Sequence, residues 1–100
     1  MSRFLVTYHG GAPPANPEQV AQMLSAFESW LEQAGDAVVD PGAPVRPVAQ
    51  VANGKPAPAV EAGGYSLIEA ASVEEAVKVL KTHPFVARGG TLQVFEAVSI

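Results

Sequence analysis

Residues 3–9 alternate. Phe4, Val6 and Tyr8 would point to one side of an extended chain, and Leu5, Thr7 and His9 to the other, so this stretch reads as a β-strand. Gly10 and Gly11 end it, and Ala12-Pro13-Pro14 keeps the following residues extended. The period then changes. Val20, Met23, Leu24, Phe27, Trp30, Leu31 and Ala34 recur three and four apart, which puts all seven on one stripe of an amphipathic helix. Asn16 suits the N-cap and Pro17 the first helical position, where a missing amide is no loss, while Gln19 lies three residues past the cap. Gly35 stands where a left-handed C-terminal cap would fall.

Residues 36–63 have no such regularity. Pro41, Pro44, Pro47, Pro56 and Pro58 all fall here, so any strand must be short or at a sheet edge. Val45 to Ala52 is the candidate strand, and Asn53-Gly54 is a strong two-residue hairpin signal after it. A loop from Lys55 to Gly63 leads to the next strand, Gly64 to Ala71. Ser72-Val73-Glu74-Glu75 then forms a capping box, opening a shorter helix with Val73, Ala76, Val77 and Leu80 as its apolar stripe. Lys78 and Lys81 sit toward its C-terminus and Pro84 stops it. Thr91 to Val98 is the last strand.

Strand, helix, strand, strand, helix, strand is the ferredoxin-like β-α-β-β-α-β order. It builds an α+β domain with a four-stranded antiparallel sheet and both helices on one face. Two helices cover one face only, yet Phe4 with Leu5, Leu67 with Ile68, and Val94 with Phe95 give the strands apolar groups on both sides. A two-fold homodimer, sheet against sheet, would shield the second face. The alternative is that the 40–63 segment folds across it.

Composition narrows the partners. A chain of 100 residues is the size of one domain, and with 48% apolar and 16% charged residues it suits a packed globule. The net charge of −4 offers no cationic surface for nucleic acid or anionic lipid. There is no cysteine, hence no disulfide, thiolate zinc site or cysteine nucleophile. The first residues lack the apolar core of a signal peptide and no window is long enough to span a membrane, so a cytoplasmic protein is expected.

Few residues bear chemistry. His83, with a side chain that titrates near neutrality, is the candidate catalytic residue if a carboxylate orients it; otherwise it binds the last carbonyls of the second helix. His9 beside Gly10-Gly11 could face an anion, although a simple turn explains the glycines, and two histidines 74 positions apart have no metal-ligand spacing. Tyr8, Trp30 and Tyr65 are large enough to line a cleft, with Trp30 equally suited to the core. Glu69 and Glu96 interrupt apolar strands, so each must face solvent, a dimer rim or a polar cavity, with Arg3 and Arg88 as available partners. No serine stands in a nucleophile elbow, and no cofactor or metal is implied.

Gly63-Gly64-Tyr65-Ser66-Leu67-Ile68-Glu69-Ala70, the helix opening Ser72 to Ala76, His83-Pro84-Phe85 and the closing stretch Gly90 to Val98 follow one another in an order that resembles the YCII-related family, with its DGPF branch. The Trp30-Leu31-Glu32-Gln33-Ala34-Gly35 helix end is similar too. The resemblance implies a dimeric α+β barrel. It also implies a cleft in which some members are proposed to use a histidine of the first helix with an aspartate at an Asp-Pro turn, a dehydrochlorinase-type activity belonging to that group. Here the first helix has no histidine and His83 occupies the turn. Lys55-Pro56-Ala57-Pro58 stands in the region of the Asp-Gly-Pro-Phe signature, and Val94-Phe95-Glu96-Ala97 replaces the closing Glu-Val-Arg-Pro.

Three functions are compatible with these residues. The first is a small dimeric domain that binds a small apolar or aromatic molecule near His83 and Tyr65, with Tyr8, His9, Trp30 and Glu69 as further ligand-binding candidates. The second is a YCII-type enzyme of lyase or dehydrohalogenase chemistry in which His83 moves a proton. The third is a module that docks another protein.

Overall fold

A computed structural model describes residues 1–100. Its elements are β1 (Ser2–Gly10), α1 (Pro17–Ala34), a 3-10 turn (Gly35–Ala37), β2 (Val38–Pro44), β3 (Gly64–Ala70), α2 (Val73–Lys81), a one-turn helix α3 (Pro84–Ala87) and β4 (Gly90–Glu96). The sheet has the order β2-β3-β1-β4 with every neighbouring pair antiparallel, the ferredoxin-like arrangement.

Local chemistry explains where the helices begin. The Asn16 side chain accepts from the Gln19 N–H at 2.9 Å, and Ser72 Oγ accepts from the Glu75 N–H at 3.2 Å. Each cap satisfies one of the amides that a first helical turn leaves without a partner. Gly35 has the positive φ expected of it (56°), but with ψ at −128° it turns the chain into the 3-10 segment rather than making a left-handed α cap.

Register sorts the strand residues by face. Phe4 pairs with Ile68 and Val6 with Ser66 and Val94, and these even-numbered positions lie under the helices. Phe4, Val6, Ile68 and Ala70 pack there with Trp30 of α1 and with Ala76 and Leu80 of α2. The Trp30 indole N–H donates to the Val79 carbonyl at 3.2 Å, which ties the two helices together. The odd positions form the other face, where Leu5 has Leu67 on one side and Phe95 on the other. Leu5 is 38% exposed and Phe95 50%, because nothing packs on them.

The middle of the chain departs from expectation. Val45 to Ala52 is not a strand; the edge strand is Val38–Pro44, upstream of it. An edge position explains how β2 carries Pro41 and Pro44, since an outward-facing proline gives up no ladder bond. The pairing of β2 with β3 slips twice, between Val38 and Asp40 and again before Ala43. Gly42 sits in the second slip with φ +76°, its N–H held by Asp40 Oδ1 at 2.8 Å. A Cβ there would run into the Tyr65 carbonyl. Asn53-Gly54 does form a bend, with Gly54 at φ +93°, but no strands flank it. Residues 46–62 project as an arm whose base is closed by the Val45 N–H donating to the Gly63 carbonyl at 3.1 Å. Val48, Val51 and Val60 on the arm are 72–100% exposed, so it does not cover the open sheet face.

The ends of the last elements also shift slightly. β4 stops at Glu96 rather than Val98, and Pro84 does more than stop α2: Thr82 caps that helix and Pro84 starts α3. No helix is long and apolar enough to cross a membrane.

Candidate functional site

The seven-residue apolar stripe of α1 does not all reach the core. Trp30 is buried, and Phe27, Leu31 and Ala34 are half-buried, but Val20 and Leu24 are 42% and 58% exposed. The C-terminal half of the helix rests on the sheet while the N-terminal half overhangs its end. Beneath the overhang is a cavity of about 290 Å³. Val20, Met23, Leu24 and Phe27 roof it; Pro41 to Pro44 of β2 and Gly63-Gly64 form one wall; Tyr8, His83, Phe85 and Arg88 form the floor and the opposite wall. A volume near the lower end of the range for small-molecule sites suits an occupant of about one ring.

His83 is not where the helix-end reading placed it. Its backbone N–H does donate to the Leu80 carbonyl of α2 at 3.0 Å, but its side chain is the N-cap of α3, and only 2% of the residue is exposed. Its ring lies 4.4 Å from that of Trp30 and 5.1 Å from that of Tyr8, centre to centre. The hydrogen bonds determine its tautomer. Nδ1 accepts from the Phe85 N–H at 3.0 Å, so the ring proton is on Nε2. Nε2 therefore donates to Tyr8 Oη at 2.9 Å. Ser66 Oγ donates to the Pro41 carbonyl at 2.8 Å, which leaves the Tyr8 hydroxyl to donate to Ser66, also at 2.8 Å. His83, Tyr8, Ser66 and Pro41 thus form one directed chain. Tyr8 Oη keeps a lone pair for one further donor.

Electrostatics support that neutral histidine. Burial, with a smaller contribution from the Arg88 charge, lowers the pKa of His83 from 6.5 to about 4. Burial likewise raises the pKa of Tyr8, against the opposing hydrogen bond to Ser66. Phe85 completes the floor. A Cβ at Gly90 would overlap its ring, so β4 can pass this close only with glycine. The Arg88 guanidinium lies 5.6 Å from the centre of the same ring.

The chain is similar in structure to 5-chloro-2-hydroxyhydroquinone dehydrochlorinase (TftG) from Burkholderia phenoliruptrix AC1100, solved in complex with 2,5-dihydroxybenzoquinone. The TM-score is 0.55 with 19% identity, over 91% of this chain and 90% of that one. The likeness is one of fold. No protein-family model matches the sequence, and no curated protein does.

Of the residues singled out from the sequence, Tyr8 and His83 meet in the cavity. Tyr65 borders it as well, but pairing with Thr7 turns its side chain to the open face with Leu67 and Glu69, so its backbone lines the wall. Trp30 packs behind His83 in the core, its ring tilted by 48° to the imidazole. His9 lies apart: its Nε2 accepts from Thr7 Oγ1 and its Nδ1–H donates to the Glu61 carbonyl, both at 2.7 Å, which ties the base of the arm to β1. Glu69 faces Arg3 at 3.8 Å on the open side of the sheet. Ser66, Phe85 and Arg88 are the site residues that sequence reading did not place here. Ser66 was detectable, since it alone is polar among the inward positions Ser66, Ile68 and Ala70 of β3.

Proposed function

We propose that this chain is a YCII-like domain that binds a small, one-ring aromatic or similarly flat molecule in the cavity under α1. The observation that carries this reading is the overhang: a helix leaves half of its apolar stripe off the core and above a hollow whose floor holds one oriented hydroxyl. Exposed valine and leucine side chains gain free energy when a ligand covers them, at about 25 cal/mol per Å². The Tyr8 hydroxyl can accept a hydrogen bond from such a ligand, and Phe27 and Phe85 offer ring faces. The quinone named with the structural neighbour is a molecule of this size and shape.

Calorimetric titration with hydroquinone and with 2,5-dihydroxybenzoquinone tests the reading. Saturable binding that Tyr8→Phe weakens by about tenfold is expected, equivalent to one hydrogen bond of ~1.4 kcal/mol. No heat with either compound at millimolar concentration would contradict it.

A second reading, in which His83 is catalytic in lyase or dehydrohalogenase chemistry, is supported by the dehydrochlorinase activity of the structural neighbour. His83 can accept a proton only at Nδ1, which requires the Phe85 N–H to let go. The geometry better suits a His83 that orients Tyr8. We also infer that the open face, with its row of Leu67, Leu5 and Phe95, pairs with a second copy of the chain.

A further inference from the structure

We propose that the ligand of this cavity is an anion, and that Arg88 reads its charge. This deepens the binding reading above and rests on it. Among the residues that line the cavity, Arg88 is the only one with a full charge at neutral pH. No aspartate or glutamate lines the cavity. Arg88 also lacks an acidic partner elsewhere, because the two ion pairs of the molecule are Arg3–Glu69 and Lys78–Glu75. In a chain with a net charge of −4 and only six lysines and arginines, an unpaired, half-buried arginine at an apolar cavity is an exception.

Arg88 is also held in place. It follows α3 directly and its backbone N–H donates to the Pro84 carbonyl at 3.1 Å. Its guanidinium stands over the Phe85 ring. Its charge is felt across the floor of the cavity, since it contributes to the lowered pKa of His83. A planar guanidinium beside an aromatic wall matches a carboxylate, or an acidic enol or phenol in its ionised form, on the edge of a flat ring. The two polar features then divide the work: Tyr8 Oη accepts from a neutral hydroxyl of the ligand, and Arg88 donates to its anionic group.

A charged ligand and its neutral isostere separate the contribution of Arg88 from that of the cavity. Titrations would compare 4-hydroxybenzoate with 4-hydroxybenzamide in the wild type, Arg88→Met and Arg88→Lys, at low and high salt. The expected result is a preference of at least about tenfold for the benzoate, reduced in Arg88→Lys, abolished in Arg88→Met and weakened by salt. Methionine keeps an apolar stem over Phe85, so the amide should bind all three proteins equally. Equal affinity of the wild type for the two compounds would overturn the role of Arg88 and leave the cavity reading standing. Failure of both compounds and of hydroquinone to bind would overturn both.

Discussion

A buried imidazole that is already donating and accepting resists a second proton. In His83 that proton would have to enter at Nδ1, where it would displace the Phe85 N–H that starts α3, and it would lie near the Arg88 charge. The folded-state pKa of about 4 lies below the unfolded value of 6.5, so the unfolded chain binds the proton first as pH falls. The stabilisation from a neutral His83 is therefore complete above about pH 6.5 and is lost between there and about pH 4, with an upper limit of about 3 kcal/mol. Urea unfolding across that interval should show the wild type losing stability more steeply than His83→Gln, whose amide does not titrate; parallel curves would contradict this account. Tyr8→Phe should cost about 1–3 kcal/mol in the same assay, because it leaves the His83 N–H buried without an acceptor.

At the level of elements, β2 depends on one glycine. Gly42→Ala should destabilise the protein by about 1–3 kcal/mol, where alanine in place of an ordinary helix or strand glycine would stabilise it, since both the φ of +76° and the Tyr65 carbonyl oppose a side chain. Unchanged thermal unfolding of that variant would contradict the bulge geometry. The arm is the opposite case. Replacing residues 46–60 by Asn-Gly should leave the melting temperature nearly unchanged, because its valines pack on nothing and its base stays closed between Val45 and Gly63 and between His9 and Glu61.

The same contrast explains what could be read from the sequence. Both long helices were legible because their signals are local: a cap, a stripe and a stop within one stretch of chain. The strand β2 was not, since its pairing requires two register slips against β3 and a glycine conformation that period-two alternation does not contain. For the site, His83 and Tyr8 were both recognisable as candidates, but their meeting was not. They are 75 positions apart, and only the sheet order that places β1 beside β4 and α3 brings them within 2.9 Å. The incomplete docking of α1 was also hidden, because a stripe records which face is apolar and not how much of it finds a partner.

The molecule as a whole is thin. Its shortest dimension is 19 Å, the thickness of one sheet and one helical layer, and the two sides of the sheet meet different surroundings. One side carries the helices and the cavity; the other presents Leu67, Leu5 and Phe95 with nothing over them. Sedimentation equilibrium at micromolar concentration should give about twice the 10.4 kDa chain mass, and Phe95→Glu should return it to 10.4 kDa with little change in chain stability. A wild type that sediments at the mass of one chain would contradict the pairing of open faces.

The central claim is that the helical side of the sheet is the side that receives a ligand, and side-chain NMR during a titration with 4-hydroxybenzoate tests it most directly. The ring resonances of Tyr8, Phe27 and His83 should shift and saturate together while the methyl groups of Leu5 and Leu67 stay in place. Shifts confined to the leucines, or none anywhere at millimolar ligand, would contradict it.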